Sequence, residues 1–455
     1  MTTMKMSYMA GLVSMLMLTG CGDAKTTIVE QPAIEAADEH DHDDAQVAGG
    51  RLSVLAADSN QVAVFDIAKA SLLDTFSLSY GGGALSASAG ARYAVITHKD
   101  NGLIEFVDGG LWQEDHVDHA HDYSEAPALS SFNLSGTSPA HLVAHDGQLA
   151  VFFDGNAASA VPAKVQVLTD TDIAAARRDI PTLDYTINMH GVAEPRGDAL
   201  LATVRRDDVE SESANPVLPD TVGVFHAHDG AYELTQTLDV RCPDLHGAAQ
   251  NEDHVIFGCS DGVLLAHQHD DHFHAEKIAN LAALGERRVG ALYAHHDSDD
   301  IFGVASQKGS NAMLVAISAA HETMELVDWQ GQDGANPLAY GFSSSGERFM
   351  VLDDHGYLSV LTAHEHDDHH HWEMTQRIAI TEQDLGAMPA GLSFSMAIAQ
   401  DGEYVYISDP IAQHVLQVDI VHGSIVSDIE LDFVPAAVSW LGVPVEHDDE
   451  ASHSH

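Results

Sequence analysis

From residue 51 to residue 442 the chain is written in short apolar runs, often alternating with polar positions and closed by Gly, Asp, Asn or Ser. Stretches such as RLSVLAADSNQVAVFDI (51–67), ARYAVITHKDNGLIEFVDGG (91–110) and EYVYISDPIAQHVLQVDI (403–420) are rich in β-branched residues. This pattern predicts strands joined by tight turns. Amphipathic helical periodicity is nearly absent. Only IAAARRDI (173–180) and IANLAALGERR (278–288) offer helix, and both fall between strand groups. Many short strands at even spacing leave a sandwich, a barrel or a propeller.

A recurring first strand chooses among them. SASAG (86–90), HLVAH (141–145), HGVAE (190–194), HGAAQ (246–250), ALYAH (291–295), YGFSS (340–344) and MAIAQ (396–400) align end to end. Their period of roughly fifty residues is that of a four-stranded blade with its loops. Ahead of the first repeat, 51–79 supplies three strands without a leading one; after the last, VPAAVSWLG (434–442) supplies a single strand. Three plus one complete a shared blade, which closes the ring and removes the sheet edges. The expectation is an all-β chain with a single β-propeller over 51–442. Eight blades fit best, or seven if two of the repeats are one blade with an insertion.

The first strand of a blade lines the central channel, so equivalent positions converge. That position is His141, His190 and His246 in three successive repeats, against Ser86, Ala291, Tyr340 and Met396 in the others. A lone inward histidine is usually a hydrogen-bonded core residue. Three on consecutive blades instead offer the nitrogen-rich tetrahedral set that Zn²⁺ favours, completed by a fourth ligand or water. The stretch EDHVDHAHDY (114–123) lies in an insertion of the preceding repeat and could supply that ligand. If extended, it puts His119 and His121 on one side, ahead of His116 as candidates. Asp115, Asp118 and Asp122 could ligate or fix imidazole tautomers. Strand counting brings the insertion out on the face opposite the starts of the first strands, while its length leaves either mouth within reach.

Other histidine tracts recur between third and fourth strands. They are FHAHDG (225–230), HQHDDHFH (267–274) and HEHDDHHH (364–371), with EHDHDD (39–44) and EHDDEASHSH (446–455) toward the ends. Any one reads as a solvated acidic tip. Together, His40, His42, His116, His267, His269, His272, His274, His364, His366, His369, His370 and His371 suit weaker, exchangeable capture of a borderline metal such as zinc.

Charge narrows the partners. Nineteen Lys and Arg against 70 Asp and Glu give a formal net charge of −51, which repels nucleic acid and favours cations or basic protein patches. The start of the chain suggests location. Lys5 leads into the apolar run MAGLVSMLMLTG and then Cys21, the form of a secretory signal. Leu18-Thr19-Gly20-Cys21 resembles a bacterial lipobox, with Cys21 as the lipidated residue and membrane anchor. Gly22 in place of Asp suggests outer-membrane sorting on the periplasmic side of a Gram-negative envelope. The expected organisation is a signal over 1–21, an acidic tether over 22–50, the propeller over 51–442 and a histidine-rich tail over 443–455. Cys242 and Cys259 then remain, a disulfide pair in an oxidising compartment, with thiolate metal ligation as the alternative.

EDHVDHAHDY, HLVAHDGQLAVFFDG (141–155), HGVAEPRG (190–197), CPDLHGAA (242–249) and FGCSDGVLL (257–265) resemble segments of the AztD-type zinc metallochaperones. The resemblance covers about residues 51–442. It implies a periplasmic propeller that hands Zn²⁺ to the solute-binding protein of a zinc ABC transporter, with His119, His121, His141, His190 and His246 as binding residues. The chain departs from that pattern at Met189-His190-Gly191, where His-His-Gly is expected, and at Ala248, where an acid is expected. The lipobox and the additional tracts are further departures. The expected function is zinc capture and transfer rather than catalysis. A zinc buffer without a dedicated acceptor and a zinc-dependent hydrolase are the alternatives. Neither a G-x-S-x-G elbow nor a phosphate loop is evident. Because neutral imidazole is the ligand, affinity is expected to fall as pH drops through about 6.5.

Overall fold

Each apolar run pairs antiparallel with the next one in the chain, which satisfies the backbone locally and leaves the sheets to bury their faces against one another. The computed structural model describes residues 49–116, 119–208, 211–269, 272–332, 334–366 and 369–445, all within one unit, Gln46–His455. The strands form six separate four-stranded sheets, one eight-stranded sheet and a small two-stranded hairpin. A representative sheet runs Ala84–Ala87, Tyr93–His98, Leu103–Asp108 and Ala128–Ser135. The eight-stranded sheet is two such runs, Pro139–His145 to Thr182–Asp184 and Ala193–Arg196 to Ala231–Thr237. They are joined by one parallel bridge, Thr182 to Ala231.

The fold is an all-β propeller. Its ring is closed as the two incomplete ends of the repeat require: Pro435–Leu441 pairs antiparallel with Arg51–Ala56, Trp440 opposite Leu52. Gln61–Asp66 and Ser71–Ser77 complete that sheet.

Middle strands show little in-out alternation. Tyr93–His98 is buried at every position, whereas the outer strand Ser71–Ser77 is largely exposed. Blades pack face to face, so a central strand has a neighbour on both sides and both sets of side chains are apolar. Val95 and Phe106 of one blade thus meet Val151 and Phe153 of the next. Each such side chain contributes about 1.5–3 kcal/mol on burial.

The helix candidates shrink to single turns. The first is Asp170–Ala174, which begins earlier than expected because Thr169 and Asp172 form a reciprocal capping box. The second is a 3-10 turn, Ala282–Leu284, closed by Gly285 at positive φ. Cys242 and Cys259 are joined in a disulfide.

Alternating strand direction sets the two faces of the ring. First strands begin where second strands end, and turns between third and fourth strands emerge on the other face. The first strand Pro139–His145 has seven residues, so the faces are roughly 20 Å apart.

Candidate metal centre

His141 is on the strand Pro139–His145, just past a register irregularity between Pro139 and His141. His190 and His246 stand slightly outside their strands, ahead of Ala193–Arg196 and Ala248–Gln250. The residue after each of them explains the offset. A Cβ on Gly191 would collide with Thr203 and the ring of Phe152. Gly247 has φ +70, and a Cβ there would meet the carbonyl oxygen of Gly290. Only glycine lets the chain turn so closely into the blade. The backbone N–H of His246 donates to Gly258 O at 2.9 Å, and Gly258 N–H to Gly247 O at 3.1 Å, fixing the approach.

The three imidazoles converge at the channel mouth where first strands begin. Their ring centroids are 4.8 Å (His141–His190), 5.3 Å (His141–His246) and 5.2 Å (His190–His246) apart. One ring nitrogen from each lies within 4.8 Å of the others, and all three side chains are half-buried. Two nitrogens on one tetrahedral zinc are about 3.3 Å apart for bonds near 2.0 Å, so modest ring adjustments bring all three to a common ion.

The outward nitrogens of two rings are already committed. His190 Nδ1 is 2.9 Å from Asp154 Oδ2, and His246 Nδ1 is 2.9 Å from Gly290 O. Donating Nδ1–H to these oxygens leaves Nε2 of both rings as the unprotonated, ligating atom. Asp154 is itself held by its backbone, whose N–H donates to Ser138 O and whose carbonyl accepts from Met189 N–H, both at 3.0 Å. His141 Nε2 and His190 Nε2 are 3.0 Å apart, a separation at which they share one proton; a metal bound to both takes that proton's place.

Burial favours the neutral form of two of the rings. His141 is pushed down to about 4, chiefly by loss of hydration, then by the rings of His190 and His246 and by Lys99. His246 is also lowered, first by burial, with its bond to Gly290 pulling the other way. Three imidazoles, one of them braced by a carboxylate, suit a borderline divalent cation.

The other expected ligands are dispersed. EDHVDHAHDY forms a hairpin, Leu111–His116 with His119–Ser124, in which His121 stands opposite Glu114. Its base is anchored on the face away from the three histidines. There Arg51 Nη1 donates to Gly109 O and, at 2.6 Å, to Glu125 O. Arg92 stacks 3.8 Å over Trp112, which stacks on Tyr123. Among the described residues the metal-competent group contains His141, His190 and His246 and no residue of this hairpin. The strands of the stretch pair with each other, and the side chains of His116 and His119 lie outside what the structure describes.

The tracts holding His267, His269, His272 and His274, and His364 and His371, are not loose turns. They continue the third and fourth strands as paired hairpins. The side chains of His116, His119, His366, His369 and His370 are not described, and Cys21, His40, His42 and 446–455 lie outside the described residues. Sequence reasoning missed Asp154 and Gly290. Asp154 was within reach, since it follows the second strand at FFDG (152–155) and so returns to the face where His141 begins its strand.

No protein-family model matches the chain. It is similar to the zinc chaperone AztD of Citrobacter koseri, with 23% identity over 430 residues, covering 90% of this chain and 92% of that protein. The apo AztD structure from the same organism superposes with TM-score 0.69 at 20% identity, over 88% of this chain and 99% of that one. A dihydro-heme d1 dehydrogenase, NirN, shares the fold more distantly, with TM-score 0.52 at 11% identity over 86% and 74% of the two chains. The match in sequence and the match in fold each cover most of this chain. The chain thus resembles the zinc chaperone AztD in sequence and in fold over most of its length.

Proposed function

We propose that this protein binds Zn²⁺ at His141, His190 and His246 outside the cytoplasm and passes it to an acceptor protein. The observation that carries this reading is the convergence of three imidazoles, two of them with outward nitrogens engaged by Asp154 and Gly290. Such a set binds firmly yet leaves a fourth position for an incoming ligand, so transfer proceeds by exchange of ligands without release to water. The similarity to a zinc chaperone supports the choice of cargo. A lipid anchor at Cys21 and an acceptor such as the solute-binding protein of a zinc ABC transporter complete the proposal.

Replacing His190 and His246 with alanine is expected to remove one tight zinc equivalent in competition with a high-affinity chelator. Tight binding that survives the double substitution would refute the site. Transfer to the acceptor should outpace transfer to a chelator. Equal rates would favour a zinc buffer, and zinc-dependent ester hydrolysis abolished by the same substitutions would favour a hydrolase.

A further inference from the structure

The tract HQHDDHFH belongs to a three-strand ladder, His254–Cys259, Gly262–His269 and His272–Ala279. In that ladder His254 is directly opposite His267, and His267 is directly opposite His274. Directly opposed residues of antiparallel strands point to the same face, with Cβ atoms about 5 Å apart. Three imidazoles therefore stand in one row across three strands. Ring centroids are 6.2 Å apart for His254–His267 and 5.6 Å for His267–His274, the latter pair nearly parallel at 28°. His269 reaches the same group, 6.2 Å edge-on to His274. The carboxylates of Asp253 and Asp299 lie near enough to act on His254 electrostatically.

We propose that His254, His267 and His274 form a second, built site for a borderline divalent transition metal, separate from the channel-mouth centre. Two imidazoles on one tetrahedral ion have centroids roughly 5 Å apart, given metal–nitrogen bonds near 2.0 Å, so shifts of about 1 Å bring each neighbouring pair to an ion, while His254 and His274, two strands apart, turn inward over His267 to share it. His267 and His274 are the chelating pair and His254 supplies the third nitrogen. The row contains no thiolate and no carboxylate, which selects Zn²⁺, Ni²⁺ or Cu²⁺ over Mg²⁺ or Ca²⁺. The sheet itself preorganises the ligands: the strand pairing that completes the blade also sets their spacing. His254 lies well before the tract in sequence, and only the ladder brings it in. The site is at the turn between third and fourth strands, on the face away from His141, His190 and His246. It does not depend on those residues.

The test uses the full chain and Zn²⁺ alone, titrated against a chelator of micromolar affinity. H267A/H274A is expected to retain one zinc equivalent fewer than wild type. H414A/H422A, which removes as many histidines outside any tract, should retain the wild-type number, and H190A/H246A should keep the second site. In parallel, zinc should protect His254, His267 and His274 from diethyl pyrocarbonate, read residue by residue by mass spectrometry, and His254→Ala should weaken that protection at least tenfold. An unchanged zinc count in H267A/H274A, an equal loss in H414A/H422A, or protection that ignores His254 would overturn the proposal. Because these partly exposed side chains lie on a hairpin, circular dichroism of each variant separates loss of site from loss of fold.

Discussion

Asp154 does for His190 what the backbone carbonyl of Gly290 does for His246: it accepts Nδ1–H and aims Nε2 at the common point. Replacing Asp154 with Asn keeps the size but removes the charge that stabilises the polarised ring. Zinc affinity is expected to fall 10–100-fold, the usual cost of losing such a partner, with the fold intact. A change under twofold in a competition titration would mean that His190 is oriented by something else.

The same pocket displaces the pH response. A lowered imidazole pKa keeps the neutral, ligating form to lower pH, so burial moves the expected loss of affinity below the free-imidazole value of about 6.5. With His141 pushed down to about 4 and His246 lowered as well, these two ligands should protonate, and weaken zinc binding, at a lower pH than free imidazole, as a zinc competition titration across pH 7 to 4 would show. The stability of the metal-free chain has the same sign. The unfolded ring takes up its proton near 6.5 and the folded one only near 4, so the contribution is complete above 6.5 and declines through that window. Denaturant titrations of wild type and His141→Gln at pH 7 and pH 5 should show wild type losing more.

At the scale of elements, the strands were readable because β-branched and aromatic runs end at turn residues. The histidine tracts were not, because His and Asp have little strand preference and their composition resembles loop. What extends them is the ladder: once Gly262–His269 and His272–Ala279 are in register from the core outward, the pairing continues to His269 opposite His272. The two helix candidates were each cut to a single turn that buries one apolar side chain, Ile173 or Leu284, against the blades. The disulfide belongs to this scale too. Cys242 and Cys259, 17 residues apart, bracket the turn that presents His246 and its strand. A loop of that size suggests that reduction lowers stability by about 3 kcal/mol. Equilibrium unfolding with and without reductant would check it, and an unchanged midpoint would remove the disulfide from the account of how His246 is held.

At the scale of the molecule, ring closure and the channel-mouth centre have one origin. Pairing of Pro435–Leu441 with Arg51–Ala56 completes the circle, and only within a circle do equivalent positions of successive repeats face one another. The sequence by itself determined the repeat, its closure by the two chain ends, the paired cysteines and the column His141, His190 and His246, because each follows from periodicity or from residue type. Tertiary structure alone decided which face each histidine group occupies, that EDHVDHAHDY folds on itself, and that Asp154, Gly290 and His254 join the others. Those outcomes depend on strand direction and on register between segments distant in the chain. Apart from Asp154, whose place after a second strand could be read from FFDG, no local pattern encodes them, since the partner that fixes each side chain lies on another strand or another blade.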